Sequence, residues 1–191
     1  MSAISLNPSL PADFPSLLLD ERLAVIVAPR AGHSFMLDLA ARLAVHGPLR
    51  VLDGGNQFNA YPVARSIRSY TADLTRALQG IHMARAFTCY QMTSLIADAV
   101  EDSTPTLVLD LLATFYDENV NLGESRRLLS SCLVRLKQLA QTAPVVVGVQ
   151  PPGEICQERS VLVDLVRKSA AQVWEAPASS FLPQKPGRRY F

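Results

Sequence analysis

PTLVLDLLATFYDENVNLGESRRLLSSCLVRLKQLAQTAPVVVGVQPP, residues 105–152, is the stretch on which the fold turns. It opens with a short apolar run ending in Asp110 and crosses a loop. It then enters a segment in which Leu128, Leu129, Cys132, Leu133, Leu136 and Leu139 recur at helical spacing. Asn121-x-x-Glu124 places a cap signal at the start of that segment. A second apolar run, 144–149, follows and is closed by Gln150. Two short apolar strands joined by one long amphipathic helix are the repeating unit of an α/β fold.

The same alternation extends on both sides. Apolar runs at 22–28, 49–53, 81–86 and 171–175 predict further strands, and helical patterns occupy 34–46, 61–78, 90–101 and 158–169. Strands that read as continuous Val, Ile and Leu, rather than as alternating apolar and polar residues, predict a mainly parallel sheet with helices on both faces. Residues 1–21 contain Pro8, Pro11 and Pro15 and read as an N-terminal arm; 22–175 form the α/β core. Residues 176–191, with three prolines, read as a C-terminal hairpin or a docking tail. The arm offers Phe14, Leu17, Leu18 and Leu19 either to a neighbouring subunit or to the domain's own edge.

Composition narrows the function classes. At 191 residues and 49% hydrophobic, the chain has enough apolar material for one real core. Its apolar runs are too short to span a membrane, and the N-terminus lacks a basic region followed by an apolar stretch, so the expected location is cytoplasmic, or nuclear in a eukaryote. Cys89, Cys132 and Cys156 have no metal-type spacing and read as reduced thiols. His46 and His82 read as ordinary surface or core histidines. Residues 1–121 carry 8 arginines against 12 acids, net −4, while 122–191 carry 10 Lys plus Arg against 5 acids, net +5. The basic end is either a solvated face or a patch for nucleic acid or an acidic partner. Lys185, Arg188 and Arg189, beside Tyr190 and Phe191, are its candidate nucleic-acid contacts.

LAVIVAPRAGHSFML, residues 23–37, is a strand, a turn and a helix start. A phosphate loop of the form G-x-x-x-x-G-K-[ST] uses backbone N–H groups to cradle phosphates, lysine to neutralise them and a hydroxyl to hold Mg²⁺. Aligned on Gly32, the turn keeps Gly32 and Ser34 but has Val27 at the first glycine and His33 at the lysine. No other register restores the lysine, because the first one in the chain is Lys137. Arg30 is the remaining cation in the turn. These residues fit either a phosphate site or a strand–turn–helix with no ligand.

The order of these segments resembles the RecA-like recombinase family. Residues 105–152 resemble its core, with Asp110 and Gln150 ending the two strands. ARAFTCYQMTSLIADAVED, 84–102, resembles the helix preceding the Asp110 strand, and VLDGGNQF, 51–58, resembles the family's strand-Asp-x-Glu-Gly-x-Phe edge. The resemblance covers about residues 22–175 and implies a RecA-like P-loop NTPase core. It also implies an ATP/Mg site built from Arg30, Gly32, His33, Ser34, Asp53, Asp110 and Gln150, with Ser34 and Asp110 toward the metal. The family's water-activating glutamate falls on Gly55, which carries no base. Asp53 either serves this edge or caps its own loop. The loops corresponding to the family's DNA-facing segments, FYDENVNLG at 115–123 and PPGEICQE at 151–158, are acidic or lack basic residues.

A fixed cation and a water-orienting carboxylate are what phosphoryl transfer needs most, and both are missing. The expectation is therefore a noncatalytic RecA-like protein with a degenerate nucleotide site. Its partner would be another RecA-family protein or a second copy of itself, in DNA recombination or repair, with DNA contacted weakly if at all. The alternatives are an atypical ATPase using His33, Arg30 or a neighbour's residue, and a signalling or cell-division scaffold on the same fold.

Overall fold

The computed structural model describes residues 4–5 and 23–175; the rest of the arm and the tail, with Lys185, Arg188 and Arg189, lie outside the described residues. The strands are β1 (Ile4–Ser5), β2 (Leu23–Val27), β3 (Leu49–Asp53), β4 (Ile81–Arg85), β5 (Thr106–Leu109), β6 (Val145–Val149) and β7 (Gln172–Glu175). All are parallel, in the order β1-β7-β2-β6-β5-β3-β4. The six strands within 23–175 make the body of the sheet, and Ile4–Ser5 pairs with Trp174–Glu175 at one edge.

Burial follows directly from the apolar runs. On β2, Leu23, Val25 and Val27 pack on one side of the sheet, and Ala24 and Ile26 on the other. Side chains of successive strand residues point to opposite faces, so a strand covered on both sides must be apolar throughout. One face carries α1 (His33–His46), α2 (Ala60–Ile67) and α3 (Leu74–Gln79) over Ile26, Val51, Leu107, Leu109 and Val146. The other carries α4 (Cys89–Ala97), α5 (Leu122–Leu139) and α6 (Ser160–Ser169) over Val25, Leu52, Val108 and Val147. Cys89 and Cys132 are buried in the second layer as free thiols, and Cys156 is half-buried and free. No helix among the described residues is long and apolar enough to cross a membrane.

Two helix boundaries differ from those read in the sequence. The single helix expected over 61–78 is two, α2 and α3, because local side chains take over the backbone donors between them. Thr71 Oγ1 accepts the N–H of Asp73, and Asp73 Oδ1 accepts that of Arg76, which starts α3. The helix expected over 90–101 stops at Ala97, and Asp102 closes the following turn by accepting Thr104 N–H while pairing with Arg50. At the start of α5, Asn121 Oδ1 accepts Glu124 N–H at 2.9 Å.

The first core strand, β2, is separated from β3 by β5 and β6. In the dinucleotide-binding and flavodoxin-like orders the first two strands are neighbours, so this winding is neither of those. Its consequence is local. The carboxyl ends of β2, β6, β5 and β3 stand side by side, bringing the loops that follow Val27, Val149, Leu109 and Asp53 to one edge.

Candidate functional site

The turn after β2 is built on three consecutive left-handed residues, Arg30 (φ 52°), Ala31 (φ 50°) and Gly32 (φ 66°). Only the last is a glycine, so the conformation is held by packing. Ala31 is buried, its N–H donates to Ala28 O at 2.9 Å, and its carbonyl presses on β6 at Gly148. A Cβ at Gly148 would lie 2.7 Å from that oxygen, a contact that only glycine permits. Arg30 and Ser34 are exposed and His33 is half-buried. His33 and Ser34 line a cleft of about 260 Å³ between α1 and α2, together with Leu37, Asp38, Pro62 and Ser66.

Asp53, Asp110, Gly55 and Gln150 form a separate group, none of them lining that cleft. Asp53 is fully buried and is used up by its own loop: Oδ1 accepts Gln57 N–H, and Oδ2 accepts Phe58 N–H and Arg85 Nε, at 2.9, 2.9 and 3.0 Å. Asp110, in the left-handed region at φ 48°, accepts Gln57 Nε2 on Oδ2 at 3.2 Å and Gln150 N–H on Oδ1 at 3.4 Å. Tyr116 in turn donates its hydroxyl to Gln150 O at 2.7 Å, so Gln150 is fixed through its backbone. The glycines explain the compactness. A Cβ at Gly54 would lie 2.6 Å from Asp110 O and 2.7 Å from Met92 Cε. One at Gly55 would lie 2.8 Å from Asp110 Cβ and 3.0 Å from Oδ2. A side chain at position 55 would thus run into Asp110.

Burial pushes the Asp110 carboxyl up to about 6, with the nearby Asp53 charge adding to the effect and the N–H groups of Gln150 and Ala113 opposing it. A folded value above the unfolded one means that the folded state holds an extra proton. Its contribution to stability is complete below the unfolded carboxylate range and is lost as pH rises through about 6. Asp110→Asn, which keeps an oxygen acceptor and tolerates φ 48°, is expected to be more stable than the parent above pH 7, on the order of 2–3 kcal/mol. It should also flatten the pH dependence between 4 and 7. Urea unfolding at pH 5 and pH 8 checks this; equal differences at the two values would count against it.

Both acids of this edge, among the described residues, are engaged. Asp53 is saturated and paired with Arg85, and Asp110 lies beneath Gly54–Gln57. Among the described residues no group of three or more His, Cys, Asp or Glu is placed to hold a metal ion. The residues do not fit the catalytic Mg-ATP that the resemblance implies: His33 stands where it expects lysine, and Asp110, where it expects a metal-side acid, is held by Gln57.

Sequence reading missed Gln57, Arg85, Tyr116 and Arg159, the residues that hold this edge together. Arg159 is 3% exposed and donates to Phe115 O, Val120 O and Ser125 Oγ, closing the loop after β5 against the segment after β6. No local signal marks these residues, since their partners lie 32–53 positions away for Arg85–Asp53 and Gln57–Asp110. His46 and His82, which lacked ligand spacing in sequence, are both exposed and share an open cleft with Arg76 and Asp73 at the opposite end of the sheet. No protein-family model matches the chain, and no curated protein matches it.

Proposed function

We propose that this chain is a noncatalytic RecA-like protein that acts by assembling with another RecA-family protein, or with a second copy of itself, in DNA recombination or repair. The role rests on the order of the motifs, from the turn at 28–34 through VLDGGNQF to the Asp110 and Gln150 strand ends. The noncatalytic reading rests on one observation: a side chain at Gly55 would collide with Asp110, so the edge has no room for a water-activating carboxylate. The absence of lysine from the first 136 residues agrees with it.

Purified protein with millimolar Mg-ATP is expected to release no phosphate above the level of a Ser34→Ala or Asp110→Ala variant. Steady turnover that either substitution abolishes would establish the ATPase reading instead. The assembly role is tested by identifying what co-purifies with the native chain. Recovery of a RecA-family protein, or a mass in light scattering that reports a defined oligomer, is the expected result.

A further inference from the structure

α2 turns Val63 and Ile67 inward, both fully buried, and leaves Tyr61, Arg65 and Arg68 exposed. Steps of four and three residues put these three side chains on one stripe of the helix and its C-cap. Tyr61 is 75% exposed, more than any other large hydrophobic side chain among the described residues. Neither arginine has an ion-pair partner among the described residues, and from Gly54 to Ala72 the chain contains no acid. The adjacent carboxylate on α1, Asp38, is occupied by Arg42, Ser66 and Tyr70. An ordinary solvated helix face mixes both signs of charge. This one presents cations and an aromatic ring only.

We propose that this stripe binds single-stranded nucleic acid, with Arg65 and Arg68 on phosphates and a base stacked on Tyr61. Guanidinium groups meet phosphates at sequence-independent points, and an exposed ring accepts the face of any base. Seven helical steps carry the stripe over about 10 Å, the axial rise of about three nucleotides of a stacked strand at about 3.4 Å each. Charge complementarity selects a polyanion, and the tyrosine selects one with flat bases over a lipid headgroup. The surface is independent of the nucleotide edge and of the tail residues Lys185, Arg188 and Arg189.

Fluorescence anisotropy with a labelled oligothymidylate, at low and at physiological salt, tests the proposal. Tyr61→Ala is expected to weaken binding about tenfold. The pair Arg65→Gln/Arg68→Gln should weaken it further and reduce the salt slope by about 1.4. Arg126→Gln/Lys137→Gln removes the same charge from exposed positions of α5, on the other face of the sheet, and should change affinity less than about twofold. All the substituted residues are exposed, so thermal midpoints should match the parent's. Equal loss in the two double variants would reduce the effect to net charge and overturn the proposal. So would loss of binding on truncation after Pro183 alone, absence of binding by the parent chain, or binding to anionic phosphatidylserine vesicles without binding to the oligonucleotide.

Discussion

Replacing Arg159 by methionine is expected to lower the stability of the fold by about 3 kcal/mol, with the urea midpoint falling and its slope unchanged. The guanidinium is buried, and its hydrogen-bond acceptors among the described residues are neutral: Phe115 O at 2.8 Å, Val120 O at 2.6 Å and Ser125 Oγ at 3.1 Å, with the charge of Asp117 acting on it from beyond hydrogen-bond contact. Hydrogen bonds from a charged donor are worth about 1.5–3 kcal/mol each. Part of this is offset by relief of the arginine's own desolvation, because a buried charge is costly. What remains is the penalty of leaving buried acceptors unpaired around Phe115 and Ser125. Lysine should recover less than half of the loss, since a single ammonium cannot reproduce the planar fork. Amide exchange should accelerate in 115–125 before it does in β5 or β6. A methionine variant within about 0.5 kcal/mol of the parent would show that the loop is held by its packing alone.

Gly55→Glu, which restores the carboxylate that the resemblance leads one to expect, should destabilise the protein by about 3–5 kcal/mol and yield no ATP hydrolysis. Its Cβ would sit 2.8 Å from Asp110 Cβ and 3.1 Å from Gln57 Cγ, and its charge would be added beside a carboxyl already raised to about 6. If the glutamate variant does not fold, a smaller cycle decides the matter. Gly55→Ala should cost about 2 kcal/mol alone, and most of that cost should vanish in an Asp110→Gly background, where the opposing Cβ is gone and φ 48° is unstrained. Additive effects would mean that the contact between 55 and 110 is not what excludes a side chain there. ATP turnover by Gly55→Glu would mean that the edge needs only its base to be active.

The layered sheet was legible because it depends on patterns that are local. Val145–Val149 and Leu23–Val27 are apolar at every buried position, and the Leu128-to-Leu139 periodicity survives as the buried stripe of α5. The cap at Asn121 was legible for the same reason, being a contact three residues long. The break between α2 and α3 was not, because Val63, Ile67 and Ala77 keep the look of one apolar face while Thr71 and Asp73 redirect the backbone.

Local pattern alone established an α/β chain with an apolar parallel sheet, a first strand–turn–helix without lysine, and glycine at positions 54 and 55 after Asp53. The use of those residues is set by long-range packing. Asp53 is consumed by its own loop and by Arg85, Gly55 is required by the approach of Asp110, and His33 and Ser34 line a cleft with Leu37, Asp38, Pro62 and Ser66. Helix and strand patterns are written in neighbouring residues, whereas a site is made by loops from strands that are adjacent in the sheet and distant in the chain. Their distances of approach are set by packing, and packing leaves no local mark in the sequence.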